Sequence, residues 1–379
     1  MNIDYFKGAD KRSVEYNDEF FEQFNNNYRN GDAHTRRTDS LPVKKKASVR
    51  KKRKLKRGFK NTVYAVTAIL LAALLGAILL PRCFDKPSSK KAYVQSGKAE
   101  SAQAESTAAG TSYPKKAENC VTLGDDVNAK YAVLMNATKN EIIAEKSSES
   151  VIYPASLTKI MTLITAVENM KSFDDTFTYS FQVTDPLYKQ EASVVGFSAG
   201  ETVTVKDMLY GSILASGADA TTGLAMTVSG SEEKFAEAMN KKASELGLST
   251  ANFTNASGLH NENHKCTVID IAVLLNYAMK NDVCRQVLTT EEYTTAQTEQ
   301  HPEGIKVTST LFSRMYGTEP EGATVIAGKT GYTVEAGNCI ASYANGADGN
   351  DYIFVTTGGT DKWKAVYDHI NVYSAYAKS

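Results

Sequence analysis

The pattern of apolar and polar positions divides the chain into an uncharged run, a polar spacer and a region of strand and helix patterns. Residues 62–80 are mostly apolar and carry no charged side chain, which matches the length of a helix that crosses a bilayer. Tyr131–Asn136 and Glu141–Lys146 read as two strands joined by a tight turn, a β-hairpin. Apolar positions in residues 156–170 recur at i, i+3, i+4 and i+7, which predicts a helix with one buried face.

Local signals predict further elements. Capping boxes begin at Thr204, Ser229 and Thr267, and Gly247 stands where a helix C-terminus is expected. The last sixty residues predict three strands (323–328, 338–343 and 352–357) and a helix that presents Trp363, Val366, Tyr367, Ile370 and Tyr373 on one face. Strands at both ends with helices between them indicate an α+β fold. We expect an antiparallel sheet formed by the N- and C-terminal segments, flanked by helices, beside a helical lobe.

Charge changes this picture at the N-terminus. The whole chain is balanced, with 43 basic and 43 acidic residues, which argues against a nucleic-acid binder, yet residues 36–60 hold thirteen Lys or Arg and one acid. Basic residues stay on the cytoplasmic side. We therefore predict a single-pass protein of the cell membrane with a cytoplasmic, disordered tail (1–61), a transmembrane helix (62–80), an extracellular linker (81–117) and an extracellular globular domain (118–379). A cleaved signal peptide is the alternative, but its charged region would be far too long.

No metal site or cofactor is predicted. His260 and His264 have the i, i+4 spacing of a zinc pair, but they lie in a Gly- and Asn-rich stretch and no third ligand is evident. The five cysteines are far apart and form no Cys-x-x-Cys pair, so we expect buried free thiols while leaving disulfides open. They are Cys83, Cys120, Cys266, Cys284 and Cys339.

Ser-x-x-Lys is the first sign of chemistry, but by itself it is weak evidence. It occurs five times, starting at Ser48, Ser88, Ser112, Ser156 and Ser231. Only Ser156 opens a helix with apolar neighbours, where i and i+3 side chains share a face and the helix N-terminus favours a developing anion. Ser156 and Lys159 are therefore the candidate nucleophile and base.

Two further motifs follow in order, Ser216-Gly217-Ala218 and Lys329-Thr330-Gly331. Ser-x-x-Lys, Ser-x-Asn and Lys-Thr-Gly are the signature of penicillin-binding proteins and class A β-lactamases. The longer strings YPASLTKIMT, ILASGADAT, TNASGLHNENHKCT and AGKTGYTVEAGNC resemble the serine D-alanyl-D-alanine carboxypeptidases of bacterial cell walls, over about residues 120–379. The resemblance implies the β-lactamase/transpeptidase-like fold.

The resemblance also implies catalytic roles. Ser156 would attack the terminal D-Ala-D-Ala amide of a peptidoglycan stem pentapeptide and form an acyl-enzyme, and Lys159 would take its proton. A lysine can act as a base near neutral pH only when its pKa is lowered, by burial or by a nearby cation such as Lys329. Ser216 would pass a proton to the leaving amine.

Substrate binding is implied in the same way. Lys329, Thr330 and Gly331 would hold the terminal carboxylate, and the backbone N–H groups of Ser156 and Tyr332 would form the oxyanion hole. The expected partners are this peptide, β-lactam antibiotics as covalent inhibitors, and the lipid bilayer through residues 62–80. The family commonly has a C-terminal β-rich domain and an amphipathic anchor. This sequence ends soon after its last predicted helix, so we expect the N-terminal run to anchor the domain instead.

One position departs from the family pattern, because Ala218 stands where asparagine is usual. Loss of that amide would cost on the order of 1–3 kcal/mol of transition-state stabilisation. We expect a slower or altered carboxypeptidase. The alternatives are a β-lactamase or D,D-endopeptidase of the same fold, or a weakly active penicillin-binding sensor module.

Overall fold

The computed structural model of the protein describes residues 113–377. The predicted tail, the apolar run and most of the linker lie outside these residues. Among the helices of residues 113–377, none is both long enough and apolar enough to cross a bilayer. The first strand begins at Lys115, three residues before the predicted start of the globular domain.

The main sheet has six strands. Their order across the sheet is β1 (Lys115–Thr122), β3 (Glu141–Lys146), β2 (Tyr131–Asn136), β10 (Asp351–Gly359), β9 (Gly337–Gly346) and β8 (Ala323–Thr333). The two ends of the domain meet where β2 pairs antiparallel with β10, from Tyr131 opposite Thr357 to Asn136 opposite Tyr352. The predicted closure of the sheet by both ends is thereby confirmed. β1 was not predicted, and it pairs parallel with β3, so the sheet is mixed and not purely antiparallel.

Four short strands form two separate ribbons, and nine helices complete the part of the chain that the structure describes. The ribbons pair β4 (Thr176–Thr178) with β5 (Thr202–Thr204) and β6 (Glu292–Thr294) with β7 (Lys306–Thr308). The helices are α1 (Thr158–Asn169), α2 (Phe181–Lys189), α3 (Val205–Ile213), α4 (Ala218–Ser229), α5 (Glu232–Glu245), α6 (Val268–Lys280), α7 (Asp282–Thr289), α8 (Thr310–Met315) and α9 (Lys362–Tyr376).

Helix α1 lies in the centre of the main core. From Thr158 to Ala166 every residue of this helix is buried, and its apolar side chains join one cluster with α3, α4, α6 and the inner face of the sheet. The predicted helix is confirmed, although its first turn (Ala155–Leu157) is a separate 3₁₀ turn. A helix covered on all sides holds its side chains in fixed positions, which favours a precise site at its N-terminus.

Two predictions about helices need correction, one on a helix start and one on a buried face. The capping box at Ser229 is wrong, because Ser229 is the last residue of α4, Gly230 follows in the left-handed region (φ +79°), and Ser231 caps α5. In α9, Tyr367 is exposed, and the residues buried against the sheet include Asp368 and His369. The carboxylate of Asp368 accepts backbone hydrogen bonds from Asn128 and Ala129. Such a buried polar pair is invisible to an apolar pattern.

Four of the five cysteines lie within the described residues, and all four are free thiols. Cys266, Cys284 and Cys339 are buried, as predicted, and Cys120 is half-buried. Burial raises the pKa of Cys266 and of Cys339, the latter to about 12. These thiols are therefore protonated packing groups at neutral pH.

Candidate active site

Ser156 lies in the 3₁₀ turn that leads into α1. The residue before it, Ala155, has φ +48°, a left-handed backbone conformation that is costly for a residue with a side chain. Ala155 and Leu157 are buried on either side, while Ser156 is half-buried and lines a cleft of about 240 Å³. The turn thus presents the Ser156 hydroxyl to the cleft from a strained and firmly packed backbone.

The Lys159 amine is in contact with the Ser156 hydroxyl inside the domain. Its Nζ lies 3.1 Å from Ser156 Oγ and donates a hydrogen bond of 2.5 Å to the Ser257 carbonyl oxygen. Only 2% of Lys159 is exposed. The hydroxyl and the amine therefore have the contact that a nucleophile and its base require.

Burial lowers the pKa of Lys159 to about 7, although the negative charge of Asp219 opposes this effect. The sequence left two causes open for a lowered pKa of Lys159, namely burial or a nearby cation such as Lys329. Burial is the main cause at Lys159. The effect of neighbouring cations appears at Lys329, whose pKa is lowered by burial and then by the charges of Lys159 and Arg314. A buried lysine with a pKa near 7 is neutral in a large fraction of molecules at physiological pH, as a general base must be.

The Lys-Thr-Gly motif lies on edge strand β8, and its Thr330 and Gly331 line the cleft. Lys329 is 1% exposed and donates to the Thr330 carbonyl oxygen at 2.8 Å. Thr330 Oγ1 lies 2.7 Å from Thr310 Oγ1, at the start of α8. Gly331 packs against the turn that holds Ser156, because a Cβ at Gly331 would lie 3.1 Å from the Ser156 backbone nitrogen. The backbones of β8 and of the turn that holds Ser156 are thus in direct contact, and the oxyanion hole at Ser156 and Tyr332 stays a prediction.

Arg314 is a site residue that sequence reasoning missed. It lies one turn after Thr310 on α8 and lines the same cleft as Thr330. Its Nη1 atom is buried and has no hydrogen-bond partner among residues 113–377. A buried, unpaired guanidinium N–H in a cleft is suited to an anionic ligand. No sequence signal marks Arg314, because the motif that it joins is fifteen residues away.

The residues at the start of α4, Ser216 and Ala218, also belong to the cleft. Ser216 is buried with φ +58°, again left-handed, and both residues line the cleft. Asp219 comes next, and its carboxylate accepts backbone N–H groups of Val195, Gly196 and Phe197 at 2.8–3.2 Å. Asp219 is an acidic residue in the first turn of α4. Its carboxylate therefore holds the loop of residues 191–197 in place, and the first residues of this loop line the cleft.

The two histidines of the GLHNENH string face different partners. His260 Nδ1 lies 3.6 Å from a Glu335 oxygen, and its ring stacks edge-on against Tyr153 at 4.8 Å between centroids. His264 is buried and bonds to Thr158. Among residues 113–377 there is no cluster of three or more His, Cys, Asp or Glu side chains that could hold a metal ion.

Known proteins with this combination are the serine peptidases and β-lactamases that react with penicillin, defined by Ser-x-x-Lys on a helix facing Lys-Thr-Gly on a strand. Among solved structures, the DD-transpeptidase of Streptomyces K15 is similar at 26% identity and a TM-score of 0.59, with 66% of this chain and 97% of that one covered. A D-alanyl-D-alanine carboxypeptidase of Mycobacterium tuberculosis H37Rv has a TM-score of 0.58 at 22% identity over 69% of this chain and 96% of that one, which shows a common fold.

The chain belongs to the D-alanyl-D-alanine carboxypeptidase family (peptidase S11), which it matches over residues 116–360. It is 33% identical to the carboxypeptidase DacF of Bacillus subtilis, over 57% of this chain and 54% of that protein. A D-alanyl-D-alanine endopeptidase of Pseudomonas aeruginosa is 26% identical over 62% of this chain and 72% of its own length. The chain thus spans about half the length of DacF, and 40% of the Escherichia coli carboxypeptidase DacC.

Proposed function

We propose that the protein is a serine D-Ala-D-Ala carboxypeptidase that removes the terminal D-alanine from peptidoglycan stem peptides through an acyl-enzyme on Ser156. The observation that carries the proposal is the 3.1 Å approach of Ser156 Oγ to the buried amine of Lys159. Both residues line the cleft that is also lined by Thr330 and by Arg314, whose Nη1 group has no hydrogen-bond partner among residues 113–377. A nucleophile, a base and an anion site thus share one cleft.

The chemistry follows from these positions. Neutral Lys159 takes the hydroxyl proton as Ser156 Oγ bonds to the penultimate carbonyl carbon, and the backbone N–H groups of Ser156 and Tyr332 stabilise the oxyanion. The C–N bond then breaks, and the leaving D-alanine amine receives a proton through the Ser216 hydroxyl. Water attacks the resulting ester, which frees Ser156 and releases the shortened peptide.

Recognition of a free C-terminus is assigned to Lys329, Thr330, Gly331 and Arg314. Strand β8 supplies the Thr330 hydroxyl, and α8 supplies the Arg314 Nη1 group, which is buried and has no hydrogen-bond partner among residues 113–377. A terminal carboxylate would satisfy both groups. A substrate without that carboxylate would leave this buried N–H group unpaired, which is unfavourable.

A direct test measures D-alanine release from a synthetic pentapeptide ending in D-Ala-D-Ala, together with mass spectrometry of the penicillin-treated protein. We expect release of one D-alanine per peptide and a penicilloyl adduct on the tryptic peptide that contains Ser156. Faster turnover of a cephalosporin than of the peptide would favour a β-lactamase. Preferential cleavage of a cross-linked peptide dimer would favour an endopeptidase, and an adduct without peptide turnover would favour a sensor module.

Replacement of Arg314 by glutamine is expected to weaken peptide binding. KM for the pentapeptide should rise about ten- to hundredfold, because a hydrogen bond to a charged group contributes about 1.5–3 kcal/mol. A peptide with an amidated C-terminus should be a poor substrate for both proteins and should show no such difference. Arg285→Gln is the matched control, because Arg285 is half-exposed and pairs with Asp282 on α7. An unchanged KM in Arg314→Gln would remove Arg314 from the carboxylate site.

Asparagine at position 218 is expected to raise the rate of acylation by up to about tenfold, because an amide in the cleft can hydrogen-bond the bound peptide. Ala218 lines the cleft at the first residue of α4, so the new side chain starts at its wall. Acylation by penicillin and D-alanine release would be measured for Ala218→Asn and wild type. A fall in both rates would mean that the site is built around alanine.

We further propose that the catalytic domain is outside the cell and is anchored by residues 62–80, with residues 1–61 in the cytoplasm. The support comes from the sequence alone, through the uncharged run and the basic cluster before it. Protease treatment of intact protoplasts should degrade the catalytic domain and spare an epitope tag at the N-terminus. Protection of the domain would overturn this topology.

A further inference from the structure

The loop of residues 254–259 lies directly against the catalytic turn, with no side chain between them. Gly258 has φ +78°, and a Cβ at this position would lie 1.9 Å from the Ala155 carbonyl oxygen and 2.9 Å from Thr158 Oγ1. Glycine is therefore required both for the backbone conformation and for the close approach. A small movement of this loop would be transmitted to the turn that holds Ser156.

Helix α1 holds the loop through its polar side chains. Thr162 Oγ1 donates to the Ala256 carbonyl oxygen at 2.6 Å, and Lys159 Nζ donates to the Ser257 carbonyl oxygen at 2.5 Å. Within the loop, Asn255 Oδ1 accepts the Gly258 N–H at 2.7 Å, and Asn255 Nδ2 donates to the Leu259 carbonyl oxygen. The Ser257 carbonyl is thus fixed in front of the catalytic amine.

His264 links the other end of the loop to the same helix. The Thr254 backbone N–H can only donate, so His264 Nδ1, at 3.0 Å, is the acceptor. The ring proton is then on Nε2, which donates to Thr158 Oγ1 at 2.7 Å. Burial, followed by the charge of Lys159, lowers the pKa of His264 to about 4, so the ring is neutral at working pH. One buried imidazole therefore connects the residue beside Lys159 to the start of the loop.

We propose that His264 is a positioning residue for the catalytic lysine, acting through the loop of residues 254–259. A neutral lysine has two N–H bonds and one lone pair. The Ser257 carbonyl oxygen can only accept, so it engages one N–H and leaves the lone pair free to face Ser156 Oγ. His264 keeps this carbonyl in place, and the inference therefore rests on the proposed role of Lys159 as the base.

The positioning of Lys159 by His264 matters more in this chain because Ala218 stands where asparagine is usual. Position 218 carries no amide, and the hydrogen bonds that Lys159 makes within residues 113–377 are those to Ser156 and Ser257. The orientation of the amine therefore depends on one backbone carbonyl. Loss of its support should slow the chemical step more than it weakens binding, because the reacting amine moves while the carboxylate site stays intact.

Stopped-flow acylation by a fluorescent penicillin separates these effects, since the saturating rate reports the chemical step and the half-saturating concentration reports binding. We expect His264→Ala and Thr158→Val to lower the saturating rate about ten- to hundredfold. The half-saturating concentration should change less than about threefold in both variants, because the missing contact orients the base. Thr158→Val removes the other end of the same hydrogen bond with almost no change in volume, and it remains informative if His264→Ala folds poorly.

His369→Ala is the matched control. His369 is also a buried histidine in a hydrogen-bonded network, with Ser342 and Thr356, but it packs α9 onto the sheet. It should lower Tm and leave the saturating rate within about twofold of wild type, because it touches neither the loop nor the cleft. The inference is overturned if His264→Ala and Thr158→Val, corrected for folded fraction, keep the wild-type rate, or if His369→Ala slows acylation equally. Failure of the wild-type protein to acylate Ser156 would refute the proposed function itself.

Discussion

Replacement of Ser156 by alanine is expected to abolish both covalent labelling by penicillin and release of D-alanine. The reaction needs an oxygen that can bond to the substrate carbonyl carbon, and alanine has none. Loss of a covalent nucleophile lowers turnover by at least about 10⁴-fold. The fold should persist, because the Ser156 hydroxyl is hydrogen-bonded only to Lys159 within the described residues and the turn is held by the buried Ala155 and Leu157.

The chain offers a matched control for this prediction. Ser231 and Lys234 form another Ser-x-x-Lys pair, at the start of α5, where Ser231 caps the helix by accepting the Lys234 backbone N–H. Ser231→Ala should cost about 1 kcal/mol of stability as a lost cap. It should leave labelling and D-alanine release unchanged when measured per folded molecule. Labelling that survives in Ser156→Ala would show that another residue is the nucleophile.

The sequence predicted the parts of the site that are local in the chain. Ser156 lies in the 3₁₀ turn that leads into α1, and Lys159 lies three residues on in the first turn of α1, so the local helical geometry places both side chains on one face. The hairpin Tyr131–Asn136 and Glu141–Lys146 follows from its alternating pattern and its turn, and its pairing is confirmed. In these cases the spacing along the chain and the distance in space are fixed by the same secondary structure.

The parts that could not be predicted depend on long-range contacts or on polar burial. Arg314 enters the cleft because α8 packs against β8, and nothing in its local sequence marks that contact. Ser257 contributes a backbone carbonyl, which every residue has, so its side chain gives no signal. His264 was weighed only as a metal ligand, because spacing cannot reveal that its two nitrogens would bond to Thr254 and Thr158.

Acylation of the wild-type protein by penicillin is expected to rise with pH and to reach half its maximum near pH 7. Only neutral Lys159 can take the Ser156 proton, and burial lowers its pKa to about 7. Protonation below this pH removes the base, so the rate is lost as pH falls. Lys159→Arg should lower the rate at least about 10³-fold at every pH up to 10, because a guanidinium stays protonated. Lys234→Arg, in the second Ser-x-x-Lys pair, should behave as wild type.

The position of this midpoint can be moved by a neighbouring charge. Asp219 raises the pKa of Lys159, in opposition to burial. Asp219→Asn removes the negative charge and keeps one oxygen that can accept a backbone N–H, so the midpoint should shift to lower pH even if the maximal rate falls. Asp185→Asn, an exposed carboxylate on α2, should leave the midpoint unchanged. A midpoint that stays in place in Asp219→Asn, or that moves to higher pH, would mean that the titrating group is not Lys159.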